Sequence, residues 1–217
     1  MPRHRRTNRE IEVKLRVADV PGMLRKLENL GARYEGRVLE RNTLYDTPDS
    51  DFRHHGALLR IRAETPPPRA GYQSPKNVAS RSASRRTILT SKAPAALRSA
   101  RDRRYKEKLE RELVVPGPPT HWDRKLRSLG LRPGFRYDKN RSTFRLNRFP
   151  GLAIELDETP AGTFLELEGL PREIDRAASA LGYSSSDYYC GSYWDVYVAN
   201  CRRRGVTPRN MVFDKQK

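Results

Sequence analysis

Residues 10–17 read Glu-Ile-Glu-Val-Lys-Leu-Arg-Val, EIEVKLRV. Side chains on a strand alternate between faces, so Ile11, Val13, Leu15 and Val17 share one surface while Glu10, Glu12, Lys14 and Arg16 share the other. One face is apolar and the other fully ionised. In isolation such a stretch describes a surface strand with its polar face in water. The rest of the chain decides whether that description is enough.

The same segregation recurs downstream. In LLRIRAE (58–64), Leu59 and Ile61 oppose Arg60, Arg62 and Glu64. RRTILTSKA (85–93) sets Thr90 and Lys92 against Leu89 and Ser91, and KEKLERELVV (106–115) sets Lys108, Glu110 and Glu112 against Leu109 and Leu113, with Arg111 interrupting the apolar side. FRYDKNRSTFRLN (135–147) aligns Lys139, Arg141, Thr143 and Arg145. LAIELDE (152–158) places Glu155 and Asp157 behind Leu152, Ile154 and Leu156, and TFLELEG (163–169) places Glu166 and Glu168 behind Leu165 and Leu167. With a long strand ending at Tyr45, these make eight strands. A sandwich would turn its apolar faces inward, but helices covering them from outside leave the ionised faces to line a water-filled barrel.

Helices are available for that cover. Val20, Met23, Leu24, Leu27 and Leu30 recur at helical spacing before a Gly31 stop. Further helices are predicted around 119–129, over 171–181 with Pro171 in the first turn, and after the SSSD of 184–187. A turn is expected at Asp46, Pro48, Asp49 and Asp51. The predicted class is α+β, an eight-stranded antiparallel barrel with helices packed on its outside. A length of 217 residues suits one domain, placed at 9–204 between a basic lead (1–8) and a C-terminal tail (205–217). The Pro/Ser/Arg-rich stretch 65–84 has almost no large apolar residue and is expected to be a mobile hairpin loop.

The charge balance narrows the ligands. Forty-four Lys and Arg against 26 Asp and Glu give a net charge of +18, which predicts attraction to polyanions. Much of the excess lies outside the strands, in PRHRR, ASRSASRR, SARDRRYK and CRRRG, where charge runs are usually solvated surface. Cys190 and Cys201 match no metal spacing or disulfide framework. The N-terminal lead has no apolar core, and no apolar run approaches the ~20 residues that span a bilayer. A cytoplasmic protein without a membrane partner is expected. The four histidines share no common site.

A lumen lined only by cations would take a polyanion, and one lined only by carboxylates would take metal. Both together call for a metal-bridged polyanion, such as a triphosphate with Mg²⁺ or Mn²⁺, whose hard cation accepts oxygen ligands alone. Arg and Lys would take the remaining phosphate charge. The structural alternative is an internal lattice of salt bridges that neutralises itself.

At this point the residues resemble a known family. EIEVK matches the Glu-x-Glu-x-Lys signature that opens CYTH-domain proteins, the triphosphate tunnel metalloenzyme superfamily of class IV adenylyl cyclases, thiamine triphosphatases and inorganic triphosphatases. RNTLYDTPDSDF with ALLRIR, ILTSKAP, KLERE, KNRSTF and IELDETPAGTFLELEG resemble its successive strands in order, over about 10–200. The resemblance implies that Glu10, Glu12, Glu166 and Glu168 hold divalent metal, Mg²⁺ or Mn²⁺, helped by Asp157 and by Glu110 or Glu112. It implies phosphate against Lys14, Arg60, Arg62, Lys92 and Arg141. Glu10, Glu12, Lys14, Glu166 and Glu168 would form the catalytic set. Some relatives carry a Lys in the C-terminal segment, whereas SSSDYYCGSYWDVY has none and offers Ser192-Tyr193. The implied activity is hydrolysis of tripolyphosphate, ATP or thiamine triphosphate. Two alternatives are cyclisation of ATP to cyclic AMP and pyrophosphate, and non-catalytic binding of polyphosphate or, less favoured, nucleic acid.

Overall fold

The first strand, β1 (Asn8–Val17), ends where Asp19 caps helix α1 (Val20–Asn29). The Asp19 carboxylate accepts a hydrogen bond of 2.9 Å from the Gly22 N–H, one of the donors that a helix start leaves open. Gly31, at φ +74°, then turns the chain out of the helix in a conformation that resists a Cβ. The remaining elements are β2 (Arg33–Asp46), α2 (Asp51–His54), β3 (Leu58–Thr65), β4 (Arg86–Pro94), β5 (Lys106–Val115), α3 (Pro119–Ser128), β6 (Arg132–Arg145), β7 (Ala153–Thr159), β8 (Gly162–Glu168), α4 (Pro171–Ala180) and α5 (Tyr193–Arg203). The computed structural model describes residues 8–66, 85–95 and 104–214. Most of the loop expected at 65–84 therefore lies outside the described residues.

All strand pairs are antiparallel, in the order β1-β5-β4-β3-β2-β6-β7-β8, and β8 returns to β1 to close the barrel. The longest partners are β2 and β6, with 14 residues each. Their register shifts between Tyr34 and Gly36, where Gly36 takes φ +147°, and again between Thr43 and Tyr45. Irregularities of this kind let a long strand bend around a small barrel.

The apolar core lies outside the barrel wall, as the alternation predicted. Val13 and Leu15 of β1, Ile154 and Leu156 of β7, and Leu165 and Leu167 of β8 are fully buried together with Met23 and Leu27 of α1 and Ile174, Ala177 and Ala178 of α4. A second cluster sets Leu126 of α3 against Tyr45 and Ile61. The outer face of β5 has less cover, with Leu109 exposed. Arg111, which broke the apolar pattern there, is exposed on that face.

Two local expectations change, and the segment after α5 adds a contact. The turn after Asp46 contains a helical turn, α2, because the Asp46 carboxylate accepts from the backbone N–H groups of Phe52 and Arg53. The sixth strand runs 132–145 instead of 135–147. Its lumen face stops short of Arg145, which lies past the β7 pairing and meets Glu35 and the Leu152 carbonyl. The segment after α5 is docked: Met211 is buried and forms a parallel bridge to Tyr137. No helix among the described residues is long and apolar enough to cross a membrane.

Candidate active site

The inner wall encloses a cavity of about 1370 Å³, and every site residue predicted from the sequence lines it except Asp157. On β1, Glu12 and Lys14 are two residues apart and therefore point the same way. Lys14 Nζ lies 2.9 Å from Glu12 and 3.0 Å from Glu166, and Lys106 lies 2.6 Å from Glu12. Burial pushes the Glu12 carboxyl up, but Lys14 and Lys106 outweigh it and hold that group below the usual carboxylate range.

The cationic wall is built from β3. Arg60 donates to the Tyr137 hydroxyl and to Thr90 Oγ1 at 3.0 Å, and to Glu112 at 3.2 Å. Arg62 lies 3.2 Å from Glu112 and 3.5 Å from Glu40. Burial of Glu112 is outweighed by Arg62 and Arg60, which bring its carboxyl down to about 2.

Asp157 sits behind this surface, with 0% exposure and its oxygens already occupied. Arg141 forks onto it at 2.7 and 2.6 Å, Lys139 donates at 2.8 Å, and the Tyr193 hydroxyl donates at 2.7 Å. Arg141 also contacts Glu155 and Glu166 closely. Lys14 and Lys139 each lie 5.3 Å from the centre of the Tyr193 ring.

An acidic corner occupies the opposite side. Lys92 reaches Glu10 at 2.7 Å and Glu110 at 3.3 Å. Glu168 has no ion-pair partner among the described residues. Burial, and then the carboxylates of Glu10, Glu155 and Glu110, push Glu168 up to about 8. Glu110 rises to about 7, because burial, with help from Glu10 and Glu112, outweighs Lys92. Among the described residues, no three His, Cys, Asp or Glu side chains are drawn together tightly enough to cage a metal ion unaided.

Four groups in or just behind the lumen escaped the sequence assignment. Glu40 (1% exposed) faces Arg62, Lys139 and Arg141, and the alternation of Glu40 with Asn42 along β2 carried that signal. Lys139 was placed on the right face without a role, and Lys106 stands four residues before Glu110 on the same strand face. Tyr193 starts a helix, so no strand period marks it.

A search among curated proteins finds no match. Among solved structures, a protein of Vibrio parahaemolyticus provisionally named an adenylate cyclase superposes with a TM-score of 0.67 at 18% identity, covering 88% of this chain and 98% of its own. The PH1819 protein of Pyrococcus horikoshii OT3 gives 0.67 at 20% identity with the same coverage. HpAC1 of Hippeastrum, a provisional adenylyl cyclase described as having a dominant triphosphatase activity, gives 0.55 at 18%, covering 92% of this chain and 97% of its own. At these identities the likeness is one of fold. The CYTH domain family model matches residues 8–183, all eight strands of the barrel with α1 to α4, and the chain belongs to the CYTH domain family.

Proposed function

We propose that the tunnel binds a triphosphate-containing compound and hydrolyses it with the help of a divalent cation. The observation that carries this reading is the pairing of a cationic wall with an acidic corner in which Glu168, near Glu10, Glu110 and Glu155, forms no ion pair among the described residues. A carboxyl held up to about 8 by burial and then by its neighbours would ionise readily once a positive charge entered the corner. The donors there are all oxygens, which suits Mg²⁺ or Mn²⁺, and phosphate and water would complete the coordination. Glu10, Glu110 and Glu168 would hold the ion, with Glu12, Glu112 and Glu166 near by. Asp157, being buried and fully engaged, is assigned instead to positioning Lys139, Arg141 and Tyr193.

When bound, such an ion supplies charge neutralisation on phosphate oxygens and acidifies a water. The protein groups do the rest. Lys14, Arg60, Arg62, Lys92, Lys139 and Arg141 leave their carboxylate partners for phosphate oxygens and stabilise charge on the leaving diphosphate. Water attacks the terminal phosphorus, the bridging P–O bond breaks toward the leaving group, and the water's proton goes to solvent.

Product analysis with tripolyphosphate and with ATP, in Mg²⁺ or Mn²⁺, tests the reading. Orthophosphate is expected from both, with turnover lost in Glu12→Gln, which nearly keeps volume while removing a charge. Cyclic AMP and pyrophosphate from ATP, without orthophosphate from tripolyphosphate, would replace hydrolysis by cyclisation. Tight binding with no turnover under any metal would leave an electrostatic binder.

A further inference from the structure

Along one edge, β1 changes partners between Glu12 and Lys14. β5 pairs with it only as far as Lys106, opposite Glu12, and at Lys14 the backbone is taken over by Tyr189, N to O at 3.1 and 2.9 Å. The two segments that continue one another along this edge are far apart in sequence, so a seam falls beside Glu12 and Lys14, which stand 2.9 Å from each other. A single carboxylate spans that seam. Asp175 Oδ1, on α4, accepts from the Tyr105 hydroxyl at 2.6 Å and from the Tyr188 hydroxyl at 2.9 Å. Tyr105 immediately precedes Lys106, whose Nζ lies 2.6 Å from Glu12, and Tyr188 immediately precedes Tyr189. The Cys190 thiol donates to the Arg104 carbonyl at 2.9 Å and ties the same two segments a second time. The helix beneath them is anchored, because Ile174 is fully buried in the cluster that holds Val13 and Leu15.

We propose that Asp175 is a positioning residue for the Glu12–Lys14 pair: it fastens the start of β5 and the Tyr188–Tyr189 segment to one point and so fixes both flanks of the pair. The inference rests on the triphosphate reading above for the reaction, and adds a residue outside the tunnel that sets the geometry within it. Asp175, Tyr105 and Tyr188 do not line the cavity, so none of them touches substrate. Asp175 acts through Lys106, which reaches the Glu12 carboxylate, and through Tyr189, which aligns the Lys14 backbone. The Arg104 guanidinium lies 3.9 Å from Asp175 with both side chains about half exposed, a pair worth little in water. The position therefore requires a hydrogen-bond acceptor more than a charge. A misplacement of about 1 Å caused by a distant change can cost ~100-fold in rate.

The test uses the full chain, with tripolyphosphate and Mg²⁺ as the kinetic probe and amide hydrogen exchange of the free protein as a second readout. Asp175→Ala puts a good helix former at a half-exposed helix position, so the fold is kept. It should lower kcat about tenfold and leave KM within about twofold, because Arg60, Arg62 and Arg141 on other strands still meet phosphate. The Lys14 and Tyr189 amides should exchange about tenfold faster, while those of β3 and β4 keep their rates. Asp175→Asn, whose amide oxygen still accepts, should restore most of both. Removing the donors instead, in the Tyr105→Phe, Tyr188→Phe double variant, should reproduce the alanine variant, and adding Asp175→Ala to it should do nothing more. A purely structural tie would lower the thermal midpoint with kcat per folded molecule unchanged. That result, or unchanged exchange at Lys14 and Tyr189, overturns the inference and leaves the triphosphate reading intact. Absence of turnover in the wild type overturns that reading by itself, and the exchange rates with their rescue by asparagine still decide on Asp175.

Discussion

Lys92 on β4 holds both carboxylate oxygens of Glu10 on β1 at 2.7 Å, although β5 lies between the two strands. A bond that skips a strand is made through the lumen and not along the wall. Arg62 to Glu112, across β4, and Arg141 to Glu166, across β7, do the same. The free tunnel is thus cross-linked by the charges that a polyanion and its cation would claim, and binding becomes an exchange of partners.

Stability should depend on pH in a direction set by the acidic corner. Glu168 and Glu110 stand at about 8 and about 7, against 4.5 for an ordinary glutamate. Between those values the folded chain keeps protons that the unfolded chain has lost, so stability falls as pH rises from 4.5 through 7 and 8. Glu112, held at about 2, acts oppositely: its contribution is present above 4.5 and is lost as pH falls toward 2. Thermal unfolding should show a maximum near pH 5, and millimolar Mg²⁺ should raise the midpoint at pH 8 far more than at pH 5. An equal effect at both would remove the corner as the cation's site.

Lumen and surface cations should separate in binding. Arg60 is 5% exposed with three polar partners, whereas Arg202 and Arg203 are exposed at the end of α5. Arg60→Ala should weaken tripolyphosphate binding by ~1.5–3 kcal/mol, the scale of a lost charge-assisted hydrogen bond. Replacing Arg202 and Arg203 together should change it little at physiological salt, where exposed charges are screened beyond ~8 Å. Calorimetric titration measures both, and equal losses would mean that bulk charge recruits the ligand.

Glu40→Gln should reveal the counter-charge beneath the cationic wall. Its carboxylate answers Arg62, Lys139 and Arg141, and breaking a buried charge set from one side costs about 3–5 kcal/mol. Urea unfolding should show that loss, and tripolyphosphate should recover part of it by supplying anionic oxygens to the same cations. Full stability without ligand would show that the wall does not depend on Glu40.

Tyr193 should divide into two contributions. Tyr193→Phe removes the hydroxyl bond to Asp157 and should cost about 1 kcal/mol. Tyr193→Leu also removes the ring beneath Lys14 and Lys139, adding roughly 1–2 kcal/mol at a desolvated site. Chemical denaturation of the two variants, side by side, checks the order. A leucine variant no worse than phenylalanine would dismiss the ring's contact with both ammonium groups.

Strand periodicity carried most of the architecture because a closed barrel obeys it on every strand. Val13 and Leu15 faced the helices and Glu12 and Lys14 the lumen as the alternation required. It failed where chemistry depends on depth and not on face. Asp157 shares its face with Glu155, yet Lys139, Arg141 and Tyr193 close over it, and alternation cannot tell the lining from the layer behind it. Trp194 and Tyr193 drew no role from periodicity for another reason: a helix brings them to the cavity from a distant part of the chain, and only tertiary packing sets that approach.

The edge of β1 has a consequence for the making of the molecule. β5 pairs with β1 along residues 8–12, and at Lys14 the backbone on that side is answered by Tyr189, N to O at 3.1 and 2.9 Å. The first of the barrel's eight strands to be made is therefore among the last to be completed, waiting for β8 and for a residue beyond α4. Until then its two glutamates and its lysine stay hydrated. The cost of confining them falls at one late step, when the outer apolar layer is in place to oppose it, and such long-range closure is slow. A nascent chain halted before β8 should remain an open, water-lined sheet.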